Sequence, residues 1–326
     1  MFDKTGVFYS NDPFTIFNSQ WLLDNSKILD LKKHNLVVLD FASEHYGIHG
    51  IDHVYRAVDE AGLNFLLLSH EPSDHQKFDR MFFYPHWYHW AVQGFVISKT
   101  ADPFNKTYKW SCLNLRPRPH RIYNYIYSRQ QPHFKDSVFS FYKSENVEQG
   151  LEKDLDEFTL TAWKKIRDSL PHITTVGKSN FPTETLPANP KLYVQDDSRC
   201  DLPANADSYI HLVTETSVCP RIFVSEKTWK PIMGLRPFII HGQISIYKWL
   251  QNNGFKTFSK YWSHIDIEND SDQHGNVVKV IDFLSSRRTE ELFTMYQDMY
   301  EDLVYNRNRF FEFAKEQKYK MENLFV

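Results

Sequence analysis

The residues best suited to chemistry lie between Ser208 and Gly242, in the run SYIHLVTETSVCPRIFVSEKTWKPIMGLRPFIIHG. Its periodicity predicts a buried strand over 209–213, a polar loop carrying Glu215 and Ser217, a short helix opening at Ser225-Glu226-Lys227, and a second apolar strand over 237–241 closed by Gly242. A serine before a helix caps it, because its oxygen accepts one of the unpaired N–H groups of the first turn, and an acidic residue there suits the positive end of the helix dipole. Lys227 fits that position badly unless an anion comes to it. A helix start with a lysine over it therefore reads as a phosphate seat. The plainer alternative is a solvated lysine on a surface helix.

A second basic group stands at residues 116–121, where Arg116, Arg118, His120 and Arg121 crowd a turn before a helix. Such a cluster repels itself unless it is solvated or faces an anion. Arginine suits phosphate because its planar fork makes two parallel charge-assisted bonds, each worth roughly 1.5 to 3 kcal/mol. Two other patterns carry less. His86 and His89 in MFFYPHWYHWAVQGF have no third ligand at a metal spacing, and the segment reads as an aromatic packing surface or as a pocket wall. Asp154 and Asp156 form a D-x-D, the pattern with which some glycosyltransferases hold Mn²⁺ or Mg²⁺, yet residues two apart do not share a helix face.

The elements that would position these groups alternate strand and helix. NLVVLDFA (35–42) reads as a strand, the run after it as a glycine-bearing loop leading into a helix on which Val54, Ala57, Val58 and Ala61 recur and which Gly62 stops, and NFLLLSHEP (64–72) as a further strand. Strand, helix, strand implies a parallel sheet, whose ligands gather at the carboxyl ends of its strands. Asp40, Glu44, His45, His70 and Glu71 fall at those ends. Residues 98–107 read as a linker, 108–113 as a strand and 155–171 as an amphipathic helix. Residues 244–262 read as a helix ended by Gly254 and then a strand, and the chain from 289 as one or two long helices. The domains expected are 1–105, 106–288 and a helical tail over 289–326.

Length and composition agree with this. The 326 residues are enough for two cores, and 41% hydrophobic with 24% charged residues is the balance of an ordinary globular chain. A formal net charge of −3 gives no global sign of nucleic-acid binding, although a local basic patch needs no overall excess. The three cysteines, Cys112, Cys200 and Cys219, have no metal spacing and suit a reducing compartment. The first residues lack a basic-then-apolar leader and no run approaches a membrane span, so the expectation is a cytoplasmic protein without a membrane span.

The order strand, T-E-T-S, S-E-K at a helix start, and R-P-F-I-I-H-G resembles the donor-site signature of family-10 glycosyltransferases, the α-1,3-fucosyltransferases. It is also similar to glycosyltransferase-like proteins of tailed phages. Thr216 stands where the fucosyltransferases have Asn, and the likeness covers residues 208–242 well and the remainder thinly. The resemblance implies the GT-B architecture, two Rossmann-like α/β domains facing one another across a cleft. It implies a nucleoside-diphosphate sugar as donor, with Glu226 on the ribose and Lys227 on the diphosphate, in a site that also includes Glu215, Ser217 and Ser225. The family opens its donor domain with an Asn and then an Arg at a helix start. Asn114 and Arg121 fit this best, with Arg118 as the other candidate. The family's catalytic base is a Glu of the first domain, which points to Glu44 first and Glu71 second. The reaction implied is an inverting transfer that requires no metal or other cofactor. The acceptor implied is a glycan or a hydroxymethylated base in phage DNA. The alternative is a non-catalytic sugar- or nucleotide-binding protein, such as a virion component that kept the fold.

Overall fold

The structure is a computed structural model and describes residues 7–10, 31–40, 48–69, 79–83, 106–114, 117–132, 134–140, 154–167, 207–216, 218, 222–243, 245–268 and 272–323. The chain divides into two compact units, residues 1–89 with 221–223 and 316–326, and residues 90–220 with 224–315. Each is built on a four-stranded parallel sheet with helices, so the protein is an α/β chain with two Rossmann-like domains.

In the first unit, β1 (Val7–Ser10), β2 (Leu36–Asp40), β3 (Phe65–Ser69) and β4 (Met81–Phe83) lie side by side in sequence order. Every residue of β3 is buried, as expected of a parallel strand covered on both faces. Between β2 and β3 runs α1 (Ile48–Glu60). Its Val54 and Val58 fall four apart on one face and pack with Leu31, Val37, Leu39, Leu63, Phe65, Leu67 and Met81. Gly62, at φ +66°, ends it as the sequence predicts, since glycine alone adopts that conformation without a Cβ penalty.

In the second unit the strand order is β6 (Val138–Ser140), β5 (Tyr108–Leu113), β7 (Ser208–Thr214), β8 (Phe238–His241). α2 (Pro119–Gln130) lies between β5 and β6 in sequence, and α4 (Glu226–Met233) joins β7 to β8; α3 (Glu157–Arg167) packs on α2. The chain continues through α5 (Ser245–Asn252), α6 (Gln273–Ser286) and α7 (Thr289–Asn323), the last a single helix of 35 residues. Trp229 of α4 draws α5 and α7 together, its ring within 5.2 to 6.1 Å of Trp249, Phe255, Phe310 and Phe313.

One element differs from the sequence expectation. After α5 no strand follows; residues 259–262 form a turn of 3₁₀ helix. The buried residues there are Phe255, Phe258, Trp262 and Ile265, a spacing of three and four that suits turns of helix rather than the alternation of a strand. Among the described residues no helix is long and apolar enough to cross a membrane.

Candidate functional site

In the second sheet the chain leaves β5 toward β6 and leaves β7 toward β8, in opposite directions. Crossovers of this kind are right-handed, so α2 and α4 cover opposite faces and a crevice opens between the carboxyl ends of β5 and β7. Most of the donor-binding residues expected from sequence lie around that crevice.

Glu215, the first residue after β7, is wholly buried. Its Oε1 accepts from the Ser225 N–H at 3.1 Å and the Thr228 hydroxyl at 2.6 Å, and its Oε2 from the Ser225 hydroxyl at 2.6 Å and the Thr216 N–H at 3.3 Å. A buried carboxylate is tolerated only when its lone pairs are satisfied in this way. Glu215 is thus a staple that fixes the start of α4 against the end of β7. Ser225 in turn caps α4, its hydroxyl accepting from the Lys227 N–H at 3.2 Å. Gly242 belongs to the same construction. A Cβ there would meet the Glu215 Cβ at 3.1 Å, a tight contact that a larger residue could make only by shifting the staple.

Lys227 and Glu226 lie at the rim, with side chains 24% and 13% exposed. They pair with each other at 2.6 Å, and the Lys227 ammonium is 3.4 Å from the hydroxyls of Thr216 and Ser225. Burial pushes the Glu226 carboxyl up, but the cations of Lys227 and Lys230 outweigh it and hold the group at about 2. It is ionised at neutral pH, and Lys227 is partnered until an anion competes with that carboxylate.

The two arginines of the basic turn have different placements. Arg121 is 3% exposed, and one of its terminal nitrogens donates to the carbonyls of Thr214 at 3.0 Å and Glu215 at 3.1 Å. Burial lowers it to about 10, opposed by the Glu215 carboxylate, and it lies close enough to feel both Arg118 and Glu226. Arg118 precedes Pro119 in extended conformation at the start of α2 and is half-buried; its Nε has no hydrogen-bond partner among the described residues. Asn114 is buried, accepts from the Thr214 hydroxyl and donates to the Cys112 sulfur at 3.2 Å. Burial pushes that thiol up to about 12.

The basic turn is therefore less basic than its sequence suggests. His120 is buried and donates from Nε2 to the Glu215 carbonyl at 2.8 Å; burial and the neighbouring Arg121 lower it to about 3, so it is uncharged. Of the D-x-D pair, Asp156 accepts from the Thr159 N–H at 2.9 Å and the Thr159 hydroxyl at 2.7 Å, holding the first turn of α3 as a cap does. The Tyr123 hydroxyl, with these bonds, holds Asp156 at about 2. Asp154 is exposed, and among the described residues no group of His, Cys, Asp and Glu gathers at metal-binding distances. Glu44, Glu71, Ser217, His45, His70, His86, His89 and Arg116 lie outside the described residues, as does the Asp40 side chain.

Sequence reasoning missed Thr214, Thr228, Asn124, His241 and His274, which close the network around the strand ends. His241 ends β8 and His274 lies in the first turn of α6; neither belongs to a spacing pattern, and only the register Thr214↔His241 shows that the strand ends come level.

No protein-family model matches the chain, and no curated protein sequence does. Among solved structures the chain is similar to the crystal structure of the DNA modifying enzyme beta-glucosyltransferase in the presence and absence of the substrate uridine diphosphoglucose. The two are 12% identical, the likeness covers 90% of this chain and 83% of that chain, and the TM-score is 0.39.

Proposed function

We propose that the protein is a glycosyltransferase of the GT-B kind, moving a sugar from a nucleoside-diphosphate donor to an acceptor hydroxyl. The observation that carries this reading is the helix start at Ser225, placed beside the β5–β7 crevice with Lys227 at its rim and Arg118 at the start of the neighbouring α2. In this reading Lys227 and Arg118 receive the diphosphate. Glu226, freed of Lys227 as the phosphate takes the ammonium, turns to the ribose hydroxyls. Arg121, Asn114 and Glu215 act one step back, holding the two strand ends and the start of α4 in register.

Charge builds on the leaving diphosphate as the bond to the anomeric carbon breaks. Cations already fixed there stabilise that state more than the bound substrate, which is the condition for a rate gain. Two such side chains supply the role that a divalent ion fills elsewhere, so the transfer is proposed to run without a metal. Inversion needs one group to take the proton from the attacking hydroxyl, and Glu44, or else Glu71, is proposed for it. Two acceptors fit an attacking hydroxyl, a glycan and a hydroxymethylated base in DNA.

The reading is tested by thermal shift with UDP, GDP, CDP and dTDP on the wild type and on Lys227→Ala. A ligand at 100 times its Kd stabilises the folded state by about 2.7 kcal/mol, which is readily measured. The expected result is stabilisation by one diphosphate that is lost in the variant. No shift with any of the four sinks the proposal. Incubating the matching nucleotide sugar with glycans and with hydroxymethylated DNA then separates the acceptors, while binding without turnover of either favours a non-catalytic binding protein.

A further inference from the structure

On the α2 and α6 side of the strand ends, three imidazoles stand in a row. The ring centroids of His120 and His241 are 5.2 Å apart and those of His241 and His274 5.3 Å, and Tyr123 follows 5.1 Å beyond His274. His120 and His241 are only 8% and 3% exposed, and His274 is part-exposed.

The bonds at the inner end fix which nitrogens carry protons. His120 Nε2 lies 2.8 Å from the Glu215 carbonyl, which can only accept, so the proton is on Nε2 and Nδ1 keeps a lone pair. His241 Nδ1 lies 2.9 Å from the Asn124 amide nitrogen, which can only donate, so Nδ1 accepts and the proton of His241 is on Nε2. One acceptor, His120 Nδ1, and one donor, His241 Nε2, are then left without a hydrogen-bond partner among the described residues. The Asn124 oxygen beside them is buried and unpartnered among these residues. A buried polar atom left in this state is uncommon and points to a missing partner.

The chemistry of that partner follows from the charge. Burial keeps His120 and His241 uncharged, and His274 is lowered by the same cause. Uncharged imidazoles hold a phosphate poorly beside the Lys227 and Arg118 cations of the crevice. A donor next to an acceptor matches a hydroxyl, which both accepts and donates. The row starts on the Glu215 carbonyl, one residue from Thr216, whose hydroxyl the Lys227 ammonium approaches. It therefore lies beside the diphosphate seat.

We propose that His120, His241 and His274 form the wall that recognises the hydroxyl groups of the donor's sugar, with the diphosphate held next to it by Arg118 and Lys227. This rests on the donor-site reading above and adds to it the part of the donor that the row selects. Sites that hydrogen-bond a substrate hydroxyl discriminate strongly against analogues lacking it, because their own polar groups are then left unpaired.

The test is calorimetric binding of UDP, GDP, CDP and dTDP, each bare and as its hexose conjugates, to the full chain and to His274→Ala and His241→Asn. His274 is part-exposed in a first helical turn, so its variant keeps the fold; the melting temperature checks His241→Asn. The expected result is a loss of roughly tenfold for the conjugate, the equivalent of one hydrogen bond, with the bare diphosphate changed less than twofold. Lys227→Ala should weaken both. Equal weakening of both by the histidine variants, or of neither, overturns the assignment of the row while leaving the donor site standing. No binding of any diphosphate to the wild type overturns the donor site and the row together.

Discussion

The two sides of the strand ends in the second unit solve the same problem with opposite electrostatics. On the α4 side, Glu215 holds its place by accepting hydrogen bonds on both oxygens, and Glu226 and Lys227 hold theirs by pairing. On the α2 and α6 side, His120, His241 and His274 are held uncharged, the first two rings edge to face and the second and third tilted at 36°. The difference teaches that a helix start prepares a place for charge only where the groups around it stay charged. Three helix starts, those of α2, α4 and α6, lie close together here, and only that of α4 has a rim lysine.

Acid should break the uncharged side first. His120 and His211 are lowered by burial to about 3, and burial takes His241 well below its ordinary value. Below about 6.5 the unfolded chain binds protons that the folded one refuses, so stability falls as pH drops from there toward 3. Each of these three groups contributes up to about 1.4 kcal/mol per pH unit, and together they make the largest effect expected. Glu226, held at about 2 by Lys227 and Lys230 against burial, acts in the same direction in a lower window. Its stabilisation is present above the ordinary carboxylate range and is lost only as pH falls from about 4.5 through 2. Urea unfolding between pH 8 and 4 should therefore show a slope already at pH 6; a flat profile down to pH 5 would mean that these three histidines, His211 within β7 included, are solvated.

Removing the staple should break the charged side. Glu215→Ala leaves Ser225, Thr228 and Thr216 without their acceptor in a closed space, and an expected loss of about 3 kcal/mol or more in urea unfolding follows from orphaning several buried donors. Ser225→Ala removes the cap of α4 and one bond to Glu215. It should cost about 1 kcal/mol in the same assay while weakening diphosphate binding more than Asp272→Ala, which removes the cap of α6. The smallest effect belongs to Asp302→Asn, whose partners Lys256 and Lys260 are largely exposed; a few tenths of a kcal/mol is expected, and a larger value would show that surface pairs here are unusually strong.

Much of this was legible beforehand because it is periodic. Strand ends, the Gly62 stop and the Ser225 cap all follow from local patterning, and β5 lies where the apolar run over 108–113 places it. The direction of side chains at the site was not legible. Arg118 and Arg121 are three residues apart and alike in sequence. The helix turns one inward onto the carbonyls of a strand far away in sequence and leaves the other half-buried at its start. The histidine row assembles from three elements whose meeting depends on sheet order, which no spacing encodes. The same holds for the misread strand after α5, where aromatic residues were weighed by type rather than by their interval.

Cys112 lies directly under the crevice, with the Asn114 amide on its sulfur and its thiol far from forming the thiolate that reacts. The molecule thereby carries its own clock. An alkylating reagent reaches this sulfur only in the moments when β5 and β7 part, so the labelling rate at Cys112, read by peptide mass, counts those openings. A nucleotide that closes the crevice should slow the count in proportion to its occupancy, and an acid jump that charges the histidines should quicken it before the chain unfolds as a whole.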